Sequence, residues 1–88
     1  MNFECHVTVA LRPGIADPQG ATIERALPAL GFDGVADVRV GKSIAFHIQA
    51  TDEAAARSEV EDMCARFLTN PVIEDATISL VQSATVGA

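Results

Sequence analysis

Phe3-Glu4-Cys5-His6-Val7-Thr8-Val9-Ala10-Leu11 is the stretch on which the fold turns. Apolar residues at 3, 5, 7, 9 and 11 alternate with Glu4, His6, Thr8 and Ala10, a period of two that puts one apolar face on a half-buried strand. Arg12-Pro13-Gly14 ends it, because proline removes a ladder donor and glycine permits a turn. Downstream, Asp17-Pro18 starts a helix. Aspartate accepts from free backbone N–H groups at an N-cap, and proline at the first helical position gives up no bond that would have formed. Ile23, Ala26, Leu27 and Leu30 continue at helical spacing. Pro28 interrupts that run, so the helix kinks or ends early, and Gly31 stands where a C-terminal cap belongs.

Two short alternating runs follow. Ala36, Val38 and Val40 flank Asp37 and Arg39; Ile44, Phe46 and Ile48 flank Ala45 and His47. Gly41-Lys42 between them reads as a hairpin turn. Thr51-Asp52 opens a second helix, whose stripe of Val60, Met63, Cys64, Phe67 and Leu68 is the strongest in the chain. Glu59, Glu61, Asp62 and Arg66 line its wet side, and Asn70-Pro71 stops it. A last strand runs from about Val72 to Val81, with Ala76, Ile78 and Leu80 on one face. The expected fold class is α+β: a β-α-β-β-α-β antiparallel sheet with two helices on one face, ferredoxin-like in style. Residues 1–82 form one domain, and residues 83–88 are expected to be a frayed tail.

Composition narrows the function. Hydrophobic residues make up 49% of the 88-residue chain, yet there is no Trp or Tyr and only four Phe, so the core is aliphatic. That much apolar surface in so short a chain favours an oligomer or a partner that covers one face. A formal charge of −6 provides no basic stripe for phosphates, and the Phe residues build no stacking platform, so nucleic-acid binding is disfavoured. Cys5 and Cys64 form no CxxC motif and read as buried free thiols. Neither a secretory leader nor an apolar run of membrane-spanning length is visible, so a cytoplasmic protein is expected.

No catalytic constellation emerges. His6 and His47 fall on the polar parity of their strands and lack a third metal ligand. Cys5 and His6 are adjacent on a strand, point to opposite faces and cannot pair as nucleophile and base. Glu53, Glu59, Glu61 and Asp62 read as a solvated helix face. Gly41-Lys42-Ser43 lacks the upstream glycine of a phosphate loop. The first loop has neither the CxxC of a metal chaperone nor more than a faint echo of an acylphosphatase loop. No catalytic, metal or cofactor-binding residue is therefore expected.

What remains is polar chemistry at turns: Asp17-Pro18-Gln19-Gly20, Arg39-Val40-Gly41-Lys42 and Asn70-Pro71-Val72-Ile73-Glu74. Asp17, Pro18 and Gly31 are expected to be structural caps. Arg39, Gly41, Lys42, Asn70, Pro71 and Glu74 are the candidate partner contacts. Arg39 and Lys42 are two of only six basic residues and lie close together, suited to acidic or carbonyl groups on a larger partner. Ile44, Phe46 and Ile48, near an otherwise exposed hairpin, suggest that a second copy buries the sheet.

These segments, with Val7-Thr8-Val9, Glu24-Arg25-Ala26-Leu27 and Leu30-Gly31-Phe32, resemble in order and spacing the PurS family, over about Asn2 to Val81. Two departures are Pro28 inside the first helix and Ala76 where the family commonly has an aromatic residue. The resemblance implies a non-catalytic small subunit of phosphoribosylformylglycinamidine synthase in purine biosynthesis, itself a dimer or tetramer. Its partners would be a large ATP-dependent synthetase subunit (PurL) and a glutaminase subunit (PurQ). The complex makes formylglycinamidine ribonucleotide from formylglycinamide ribonucleotide, glutamine and ATP. The small subunit would bridge the other two and support ammonia transfer, without a cofactor of its own. The alternative reading is a ferredoxin-like module that senses a small molecule.

Overall fold

The computed structural model describes residues 1–83: Ser83, expected to open a frayed tail, instead ends the last strand, and the rest of that expected tail, 84–88, lies outside the described residues. Strand β1 (Asn2–Leu11) is followed by helix α1 (Pro18–Ala26) and a 3-10 turn at Pro28–Leu30. Strand β2 (Gly41–Gln49), helix α2 (Glu53–Met63), a π-helical turn (Cys64–Leu68) and strand β3 (Glu74–Ser83) complete the chain. All strand pairings are antiparallel, in the order β2-β1-β3, so the first strand is the central one. The α+β class, the antiparallel sheet and the two helices are as the sequence led one to expect.

The register explains the core. Cys5 lies opposite Phe46 on β2 and Leu80 on β3; Val7 lies opposite Ile44 and Ile78. Directly paired residues project to the same face, so these side chains share one apolar layer. Phe3, Cys5, Val7 and Val9 are fully buried there, beneath Ala56, Val60 and Cys64 of α2 and its π-turn. The other face carries Glu4, His6, Thr8, Ser43, Ala45, His47, Thr77 and Ser79, all exposed. Half-buried Ile44, Phe46, Ile48, Ile78 and Leu80 pack at the margins of the core. Neither Cys5 nor Cys64 is bonded to another cysteine, and burial pushes both thiols above their ordinary range. Buried, protonated thiols are poor nucleophiles.

Two local expectations need correction. Residues 36–40 are not a strand, and no hairpin turn forms at Gly41-Lys42, because Gly41 already begins β2. Asp37 takes φ +57°, a left-handed conformation that interrupts an extended run. The amide groups of Val38 and Val40, which a strand would pair with a neighbour, donate instead to carboxylates of the α1 region. Phe67 is not part of the core but 86% exposed. The π-turn takes more residues per revolution than an α-helix, so Phe67, three positions after Cys64, falls short of the stripe, while Leu68, four after it, packs against the core. Pro28 has the consequence read from the sequence: α1 stops at Ala26, and the proline opens the 3-10 turn.

The core cluster and the side chains packed against it include no residue from 12 to 40. In that segment only Gly20 is buried. The chain is correspondingly elongated, with extents of 51 × 28 × 17 Å and a radius of gyration of 16.8 Å. A compact domain of this length would have about 12 Å.

Candidate functional site

Antiparallel topology gathers the turns. The C-terminal end of β1 stands beside the starts of β2 and β3: Val9 faces Lys42, Ala10 faces Gly41 and Asp75, and Leu11 faces Glu74. All six candidate contact residues, far apart in sequence, therefore lie at or near one end of the sheet. Val9 and Leu11 project from the core face, and with Pro18 and Gln19 they line a cleft of about 300 Å³ at that end. The start of α1 thus lies on the same side of the sheet as α2. Asp17, Val40, Gly41, Lys42 and Glu74 complete the rim of this cleft.

Asp17 organises the site. Its Oδ1 accepts from the Gly20 N–H at 2.9 Å, which caps α1, and its Oδ2 accepts from the Val40 N–H at 2.7 Å. The Arg39 Nε lies 4.0 Å from the same Oδ2. These donors hold the carboxyl below its ordinary range, the Gly20 and Val40 amides first and the Arg39 charge a smaller contributor. Arg39 also donates to the carbonyls of Ile15 at 3.1 Å and Arg12 at 3.4 Å. Close approach is possible because residue 20 is glycine: a Cβ there would sit 2.3 Å from the Val38 carbonyl oxygen. Gly31 takes φ +94° at the end of the 3-10 turn, where its N–H donates to the Pro28 carbonyl. Pro18 occupies the first turn of α1.

The third turn is tied in the same way. The Asn70 N–H donates to Glu74 Oε1 at 2.7 Å, while the Asn70 carbonyl accepts from the Glu74 N–H at 2.8 Å. Asn70 Oδ1 accepts from the Val72 N–H, closing the turn around Pro71. Arg12 then links this turn to the others, through its N–H to the Ile73 carbonyl and its Nε to Asp75 at 3.2 Å. The sequence marks Arg12 only as a strand end and Glu24 only within a stretch of family resemblance, and it places neither of them, nor Asp75, at this site. Their signal was weak, since a lone charge beside a turn has no periodicity to mark it. Lys42 stands at the mouth of the cleft as the exposed cation of β2.

Among the described residues no three His, Cys, Asp or Glu groups converge to hold a metal ion, and no buried side-chain nitrogen or oxygen lacks a partner. The carboxylates at this end are engaged by backbone amides and arginines. His6 and His47 sit away from it on the open face, where Glu4 faces His47 across the β1–β2 pair and His6 faces Ala45. Among the described residues no helix is long and apolar enough to cross a membrane. Exposed Leu30 and Phe32 beyond α1, and Phe67 and Val72 beyond α2, are large apolar side chains left to solvent.

Comparison with known proteins adds to this geometry. Residues 4–82 match the family PurS, phosphoribosylformylglycinamidine (FGAM) synthase. The phosphoribosylformylglycinamidine synthase subunit PurS of Methanothermobacter thermautotrophicus is 42% identical over 80 residues, covering 91% of this chain and 94% of that protein. The subunit of the same name from Synechocystis is 42% identical over 74 residues, or 84% of this chain and 74% of that one. A chain of the solved PurLQS structure from Thermotoga maritima superposes with a TM-score of 0.85 at 32% identity, over 92% of this chain and 99% of its own.

Proposed function

The chain belongs to the PurS family, and on that premise we propose that it is the small subunit of a phosphoribosylformylglycinamidine synthase in purine biosynthesis. It acts as an assembly partner of the large ATP-dependent synthetase subunit and the glutaminase subunit, in the cytoplasm, and it carries no active site of its own. The observation that carries this reading is the family match along nearly the whole described chain. The geometry agrees with it: the turns gathered at one end of the sheet make one contact surface, its carboxylates engaged by amides and arginines and Lys42 exposed at its edge.

Arg39, Gly41, Lys42, Asn70, Pro71 and Glu74 are the contacts we assign to the larger subunits. The side chains of Arg39, Asn70 and Glu74 are already held in place by internal hydrogen bonds, so docking through them costs little ordering entropy. Self-association is part of the same reading. Exposed Leu30, Phe32, Phe67 and Val72, together with an elongated shape, leave more apolar surface uncovered than a free monomer of this size needs.

Reconstitution tests the proposal. Matching large and glutaminase subunits are assayed for formylglycinamidine ribonucleotide synthesis with and without this chain, fed either glutamine or ammonia. Glutamine-driven turnover is expected only when the chain is present, and ammonia-driven turnover in both cases. Equal glutamine-driven rates with and without the chain would remove the bridging role and leave ligand sensing as the reading to pursue.

A further inference from the structure

Residues 12–40 lie outside the apolar core, so something other than hydrophobic packing must hold them against the sheet. Arg12 ties the segment to the sheet end through the Ile73 carbonyl and Asp75, and two carboxylates fold the segment onto itself. Glu24, in the last turn of α1, accepts from the Val38 N–H at 2.9 Å, and Asp17, at its N-cap, accepts from the Val40 N–H at 2.7 Å. Residues two apart on an extended segment present their amides to the same side, so both bonds run from one edge of the returning segment to one helix. Arg39, between them, closes the bracket from below through the carbonyls of Arg12 and Ile15. Gly20 lets the Val38 carbonyl pass within van der Waals distance of the helix backbone.

We propose that residues 12–40 form a strap, latched onto itself by Asp17, Glu24 and Arg39 and tied to the sheet end through Arg12, which opens as one cooperative unit while β1, β2, β3 and α2 remain folded. Its hinges are the turn with Gly14 at φ +86° on one side and the entry to β2 on the other. Local units of low stability are those with few buried apolar contacts and solvent-near backbone bonds, and residues 12–40 meet both conditions. Opening carries Arg39 away from Lys42, which stays with the sheet.

Residue-resolved amide hydrogen exchange on the full chain tests this through crossed effects. In the wild type the amides of Val38 and Val40 exchange together, at least about tenfold faster than those of Val7 and Val9 in the central strand. Asp17→Ala removes the acceptor of Val40 only, yet Val38, whose acceptor is Glu24, is expected to accelerate by roughly tenfold as well, with Val7 unchanged. Glu24→Gln, a milder change, is expected to speed Val40 along with Val38. The proposal is overturned if Val38 and Val40 exchange at the rate of Val7 in the wild type. It is equally overturned if Asp17→Ala unfolds the whole chain or speeds Val7 as much as Val38, or if each variant affects only the amide it touches.

Discussion

The two helices begin alike and are held differently. Each has an aspartate at its N-cap: Asp17 accepts from the Gly20 N–H at 2.9 Å, and Asp52 accepts from the Ala55 N–H at 2.7 Å. From there they diverge. Helix α2 buries Ala56 and Val60, and Cys64 just beyond it, against the central strand. Helix α1 buries no side chain at all, since its one buried residue is Gly20, and its attachment runs through carboxylates and backbone amides. The same cap chemistry therefore starts both a packed element and a latched one. What separates them is the pattern downstream of the cap: the α2 stripe is unbroken as far as the π-turn, whereas Pro28 ends the α1 stripe before it presents a full apolar face.

Truncating an apolar side chain in each region gives the largest test of that contrast. Val60→Ala removes methyl groups from a fully buried position and is expected to cost about 2 kcal/mol, a fall in Tm of roughly 8–16 °C. Leu30→Ala, at a residue 70% exposed beyond α1, is expected to stay within about 0.5 kcal/mol. Thermal melts of the two variants would break the comparison if Leu30→Ala proved as costly as Val60→Ala.

Acid sensitivity sharpens it from the polar side. The folded-state pKa of Asp17 is depressed by its hydrogen bonds to Gly20 and Val40. A carboxylate with a lowered folded value contributes stability that is present above its unfolded value, about 3.9, and lost as pH falls through the folded one. Asp17→Asn should therefore lower Tm at pH 7, and the gap from wild type should shrink as pH drops below 4. The neighbouring charges, Arg39, Glu24, Lys42 and Glu74, remain in both proteins, so the difference between the two profiles reports Asp17. A gap independent of pH would mean that geometry, not charge, is what the residue contributes.

The smallest effect on folding is expected at Phe67. Its ring is 86% exposed, so Phe67→Ser should change monomer stability by less than about 0.5 kcal/mol. If that side chain is covered in an assembly, the same variant should weaken self-association or binding to the larger subunits, as read by sedimentation. A drop in Tm comparable to that of Val60→Ala would place Phe67 back in the apolar stripe.

Much of this was legible beforehand. The alternation from Phe3 to Leu11 marked a strand with one apolar side, Asp17-Pro18 and Asp52 marked the helix starts, and Pro28 marked an early stop. These are local signals, each set by the chain's own dihedral preferences and by the two periods at which side chains share a face. The candidate contact residues were legible only as polar turns. That the three turns meet at one end follows from the pairing of β1 with both other strands, which no single segment encodes. The places of Arg12, Glu24 and Asp75 at the site became visible only once those turns were together.

By itself the sequence determined the strand and helix types, the aliphatic core, the caps and the absence of a basic surface, because each depends on neighbours a few positions away. Only the tertiary structure decided where the free amides of Val38 and Val40 would find acceptors and which way Phe67 would point. Alternation at residues 36–40 is as good a strand signal as any in the chain. An amide, however, takes whichever acceptor the fold brings within reach, and here the carboxylates of Asp17 and Glu24 occupy the place of a neighbouring strand. At Cys64 a single wide turn was enough to rotate Phe67 out of a helical stripe that the spacing had placed in the core, while Leu68 kept its place against it.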